Sequence, residues 1–172
     1  MKRVVTVTVN NNPGVLNRIT GLFAKRQFNI DSITVGPTSN PAISKMTFIV
    51  PMEDPAKMEQ LLKQLQKQID VLKVSDITDK SIVTRELALI KVQCPPPMRS
   101  EVYSIIEPFR ATVIDMGKNN ITVQVTGEPD KVDAFMELLK PYGIKDISRT
   151  GVTAFVREHQ KTETQQLSIL QL

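Results

Sequence analysis

An α+β fold of two tandem βαββαβ units is predicted by three features of the chain. A strictly alternating run, Val5-Thr6-Val7-Thr8-Val9, leads into an apolar stripe of helical period. An acidic residue followed by proline, Asp54-Pro55 and Glu128-Pro129, opens a second helical stripe in each half. The order of patterns in the first half then returns in the second. With 172 residues, 41% of them hydrophobic and 23% charged, there is room for two small cores, which excludes a long multidomain enzyme, a disordered tail and a fibre.

In the first unit the alternating strand is followed by Val15, Leu16, Ile19, Leu22 and Phe23, one face of a helix. Asn29 to Val35 and Met46 to Val50 are rich in β-branched residues and flank the turn-forming Gly36-Pro37-Thr38-Ser39-Asn40-Pro41, so they predict a hairpin. Pro55 starts a helix carrying Met58, Leu61, Leu62, Leu65 and Ile69, and Leu72 to Ile77 closes the unit. The second unit runs from Leu87 to Gln93 as strand, through a stripe of Val102, Ile105, Ile106 and Phe109, to Ala111–Met116 and Ile121–Thr126 around a turn at residues 117–120. Val132, Phe135, Met136 and Leu139 form its last helix, and Ile144 to Phe155 its last strand, interrupted at Gly151. Each unit is therefore expected to be a ferredoxin-like, four-stranded antiparallel sheet with both helices on one face. Residues 79–86 read as the linker and 159–172 as a flexible tail. Units this small are expected to be stabilised by pairing with a second copy, a homodimer.

The formal charge of +4 comes from 22 basic and 18 acidic residues that are interspersed, without a run of five or six like charges. Apolar runs are too short to span a membrane, the N-terminus alternates instead of forming a signal-peptide core, and the single cysteine, Cys94, closes no intrachain disulfide, so a cytoplasmic protein is expected. No metal-binding, nucleophile-elbow, phosphate-cradling or dinucleotide motif is present, and the only histidine, His159, lies in the tail; no catalytic residue is assigned. RNA-recognition modules share this order of elements but stack bases on aromatic rings of the first and third strands, where only Phe48 is aromatic, so nucleic acid is not expected as a partner.

The informative stretch is Asn10-Asn11-Asn12-Pro13-Gly14-Val15-Leu16. Pro13 can start a helix and Asn11 or Asn12 can cap it, leaving the amides of Gly14, Val15 and Leu16 without intrahelical acceptors. A ligand carboxylate there gains hydrogen bonds and the positive end of the helix dipole, and Gly14 presents no side chain to obstruct it. By itself the stretch reads first as an ordinary capped helix after a tight turn.

The run Asn11-x-x-Gly14-Val15-Leu16-x-Arg18-Ile19-x-Gly21-Leu22-Phe23, the segment Arg26 to Val35, and the Pro37-Thr38 and Ser44-Lys45-Met46-Thr47 segments resemble the regulatory small subunits of acetolactate synthase, also called acetohydroxyacid synthase. The resemblance extends from Met1 to about Arg157 through Val71-Leu72-Lys73-Val74, Arg85 to Val92 and Ser148-Arg149-Thr150-Gly151-Val152. It implies an ACT (amino-acid-sensing) domain over residues 1–78 and a second ferredoxin-like domain over 87–158. It also implies a noncatalytic subunit that activates a large subunit holding thiamine diphosphate, magnesium and FAD, and that confers feedback inhibition by a branched-chain amino acid, usually valine. In such a family the effector lies between two ACT domains. Carried onto this sequence, Asn11, Pro13, Gly14, Val15 and Leu16 hold its carboxylate, while Asn29, Ile30 and Asp31 of the other protomer close the site. The polar loop Gly36 to Lys45 is the expected transmitting element. A free-standing amino-acid sensor is the alternative.

Overall fold

The computed structural model describes residues 2–158, so the tail and His159 lie outside the described residues. Strand β1 (Lys2–Asn10) is central in the first sheet. It pairs antiparallel with β3 (Ile43–Pro51) on one side and β4 (Val71–Asp76) on the other, and β2 (Ser32–Pro37) lies at the edge beyond β3. The period-two alternation sends Val5, Val7 and Val9 to one face, where they meet Ile19 and Phe23 of α1 (Val15–Lys25) and Leu61 and Leu65 of α2 (Pro55–Gln66). Phe48, the aromatic on the central strands, is turned into this core and stacks on Phe23 at 5.0 Å between ring centroids. The opposite face carries Thr6, Thr8, Thr47 and Ser75 and has no helix of its own.

The second unit repeats the arrangement. Strand β5 (Ile82–Gln93) is central, flanked by β7 (Asn120–Gly127) and β8 (Ile144–Arg149), with β6 (Thr112–Met116) at the edge. Helices α3 (Arg99–Ile106) and α4 (Pro129–Leu139) cover one face through Val102, Ile106, Val132, Phe135 and Leu139. Cys94, at the end of β5, is fully buried, and desolvation pushes its thiol pKa up, opposed by the charge of Arg99. A thiol held in its protonated form and out of solvent is a poor nucleophile. Iodoacetamide at neutral pH is therefore expected to spare Cys94 in the folded chain and to alkylate it fully in denaturant, as read by mass spectrometry.

Four local expectations are corrected. Helix α2 stops at Gln66, and Ile69, placed by periodicity on its apolar face, is 96% exposed. The chain leaves the helix there because the Asp70 carbonyl is taken by the Asn10 amide, which starts β4 beside β1. Helix α3 likewise ends before Phe109, which nonetheless packs on Phe135. The linker expected at residues 79–86 is shorter, because β5 already begins at Ile82 and Glu86 is buried within it. Finally, the last predicted strand is two strands: β9 (Thr153–Val156) leaves β8 and pairs with Ile82–Arg85, which makes the second sheet five-stranded. The partner of that N-terminal extension lies some seventy residues away, a pairing that no local pattern reveals.

Candidate functional site: the entrance of the first helix

Strand β1 ends in a fixed place. The Asn10 amide donates to the Asp70 carbonyl and the Asn11 amide to the Ala42 carbonyl, both at 2.8 Å, so loops from both sides pin the chain before it turns. Asn12-Pro13-Gly14-Val15 then forms a β-turn, with the Val15 amide 3.4 Å from the Asn12 carbonyl and Gly14 at φ 81°, ψ −5°. Those angles are the third position of a type II turn, for which proline followed by glycine is the preferred pair. Pro13 is thus a turn residue, and α1 starts two residues later than expected. The Asn caps are corrected too: Asn11 donates to the Pro41 carbonyl at 3.0 Å and Asn12 to Asp70 Oδ1 at 2.9 Å, so neither side chain caps the helix.

Two consequences follow for the helix entrance. The Val15 amide already has an acceptor, whereas those of Leu16 and Asn17 meet none among the described residues. The second concerns a cation that sequence reasoning left without a role: Arg18, whose guanidinium is ion-paired with Asp70 and stays half exposed. Its Nη1 lies 3.8 Å from where a Gly14 side chain would begin. The signal for Arg18 was legible, since it stands four residues after Gly14 and so on the same helical face. Asp70 was not, because it comes from the far end of the unit. Backbone donors, the helix dipole and a guanidinium therefore converge on a surface able to receive a carboxylate.

Asn29, Ile30 and Asp31 form a second cluster. They precede β2 as a loop, not as the start of a strand as expected, with the Asp31 amide donating to the Ile49 carbonyl at 2.9 Å. Asn29 Nδ2 donates to Asp31 Oδ1 at 3.2 Å, Asp31 Oδ2 lies 3.5 Å from Lys2 Nζ, and Ile30 packs on the edge of the core. Within one chain the two clusters are not brought together. The helix entrance adjoins the sheet end where Asn10 pairs with Ile43 and Pro37 with Ser44, and the second cluster adjoins the opposite end, where Ser32 pairs with Ile49. The eleven residues of α1 separate them by roughly 16 Å. Among the described residues no group of three or more His, Cys, Asp or Glu is arranged to hold a metal, and no helix is long and apolar enough to cross a membrane.

Two βαββαβ units in tandem, the first with a glycine turn leading into an uncapped helix, define an ACT-type regulatory protein. The family model for the ACT domain of acetohydroxyacid synthase small subunits matches residues 5–73, and the model described as the small subunit of acetolactate synthase matches residues 85–158. The chain is 62% identical over 161 residues to the acetolactate synthase small subunit of Bacillus subtilis, covering 94% of each chain. It is 47% identical to a probable acetolactate synthase small subunit of Archaeoglobus fulgidus, covering 94% of this chain and all of that one. The crystal structure of the acetolactate synthase small subunit of Thermotoga maritima superposes with a TM-score of 0.84 at 36% identity, covering 92% of this chain and 99% of that one. The chain belongs to the acetolactate synthase small-subunit family.

Proposed function

We propose that this chain binds a branched-chain amino acid, valine first, between the ACT domains of two copies, and through that site confers feedback inhibition on a large catalytic subunit that it otherwise activates. The large subunit holds thiamine diphosphate, magnesium and FAD and joins two pyruvates, or pyruvate and 2-oxobutyrate. One observation carries the reading: the two candidate clusters sit at opposite ends of a sheet whose edge strand, β2, is unpaired on its outer side among the described residues. A twofold axis across two β2 edges reverses one sheet relative to the other, so the Pro37 end of one copy lies beside the Ser32 end of the second. That operation offers the helix entrance of one copy to Asn29, Ile30 and Asp31 of the other. Val35 on β2 and Leu16 at the helix entrance are 46% and 43% exposed, apolar surface of the kind such pairing buries.

In this arrangement the amides of Leu16 and Asn17, with Arg18 beside them, receive the effector carboxylate. The Asn29 carbonyl oxygen and the Asp31 carboxylate face its ammonium, and Ile30 bounds the aliphatic side chain. One methylene in such a pocket changes affinity by roughly 1 to 3 kcal/mol, so valine, leucine and isoleucine are discriminated only modestly. Calorimetric titration of the purified chain with each of the three tests the proposal. Saturable binding with a stoichiometry set by the dimer is expected, and heats no larger than those of dilution would refute it.

A further inference from the structure

The loop between β8 and β9 crosses from the second domain onto the first and grips the edge strand β2. The Val152 amide donates to Ser32 Oγ at 2.8 Å, and Thr34 Oγ1 donates to the Val152 carbonyl at 2.9 Å. Ser32 and Thr34 are alternate residues of β2 that face away from α1 and α2, so both bonds are made on the open face of the sheet by side chains. Gly151 approaches closest. Its φ is +84°, and a Cβ there would stand 2.8 Å from Ser32 Oγ and 2.9 Å from the Ile33 carbonyl, so both the backbone conformation and the clearance demand glycine. At its other end the loop is fixed to the second domain: the Thr150 amide donates to the Leu87 carbonyl at 3.0 Å, the Leu87 amide donates to Thr150 Oγ1 at 3.1 Å, and β9 then pairs with β5.

We propose that this clamp is the contact through which occupancy of the effector site reaches the second domain, with Ser32, Thr34 and Gly151 as positioning residues of regulation. The proposal rests on the effector reading above and names how that site is coupled. Strand β2 continues directly from Asn29–Asp31, which form one wall of the site, and its outer edge is the surface on which two copies pair. A ligand that favours one placement of β2 therefore favours one seating of the second domain, which is the differential interaction that allosteric control requires. The clamp is close-fitting, with no clearance for a side chain at Gly151. Beside it a cleft of about 640 Å³, lined by Lys2 and Asp31 on one side and by Glu86, Arg149 and Asp133 on the other, gives the two domains room to shift. The loop Gly36 to Lys45, also expected to transmit the signal, accepts from Asn11 through the Pro41 and Ala42 carbonyls and so supports the helix entrance.

The test uses the complete chain reconstituted with the large subunit. Ser32→Ala/Thr34→Val removes both side-chain bonds without adding bulk, and Gly151→Ala wedges the contact; circular dichroism checks the folding of each. Valine affinity of the purified chain is read by calorimetry and inhibition by acetolactate formation with and without valine. For the double variant we expect affinity within about twofold of the parent and unchanged activation in the absence of valine, together with a loss of at least half of the maximal inhibition. A parent-like inhibition curve in a double variant that still binds valine would overturn the clamp while leaving the effector site standing. Loss of valine binding in the double variant alone would also overturn it, because the contact would then belong to the site. Absence of binding in the parent would remove the effector reading, and this proposal with it.

Discussion

Gly14→Asp is expected to raise the valine concentration for half-maximal inhibition by at least about tenfold, a loss of about 1.4 kcal/mol or more, while activation of the large subunit persists. Three effects act in the same direction. A side chain at φ 81° is in the left-handed region, which costs a non-glycine residue roughly 1 to 2 kcal/mol, with aspartate toward the tolerant end. The new carboxylate stands at the mouth of α1 and repels the carboxylate of the ligand. The Cβ that carries it stands 3.8 Å from Arg18 Nη1, so the carboxylate competes for that guanidinium. Gly14→Ala carries the backbone strain without the charge and is expected to fall between the parent and Gly14→Asp. Inhibition titrations on the reconstituted enzyme, with folding verified, decide the matter; an unshifted curve for Gly14→Asp would remove the helix entrance from the effector site.

Arg149→Met is expected to destabilise the second domain strongly. The Glu86 side chain is only 3% exposed and is ion-paired with Arg149, which also donates to Asp133 at 2.8 Å. Burial works against the Arg149 charge, but hydrogen bonds to Asp133 and Glu86 outweigh it and raise its pKa above the ordinary arginine value. Without it a buried carboxylate is left uncompensated, at a cost of about 3 to 5 kcal/mol. The corresponding fall in the melting temperature of a domain this small is roughly 12 to 40 °C. Adding Glu86→Gln removes the orphaned charge, and the double variant is expected to recover most of the loss. Calorimetric melting of the three proteins checks this, and additive losses in the double variant would show that the ion pair is not the cause.

Both predictions combine what was legible in the sequence with what was not. The two βαββαβ units, the placement of Val5, Val7 and Val9 in a core, and the start of α2 at Pro55 follow from period-two and period-3.6 patterning and from proline chemistry, all of them local. The candidate ligand loop was also visible, because Pro13-Gly14 after a strand is a local turn signal; only its geometry was misjudged, as an N-terminal helical proline in place of a type II turn. Arg18 stood in the same motif unassigned, one helical turn from Gly14.

The sequence by itself determined the alternation of strands and helices, and the motifs that carry the family resemblance, since each of these depends on neighbours within a few positions. Tertiary structure alone decided where the polar groups find their partners: Asp70 beside Arg18 and Asn12, Glu86 beneath Arg149, and Val152 on Ser32 and Thr34. These contacts join residues 52 to 120 positions apart. Hydrophobic periodicity states which face of an element is buried and is silent on which distant side chain meets it, because that choice is made only when the sheets close and each buried polar group must find its hydrogen bond.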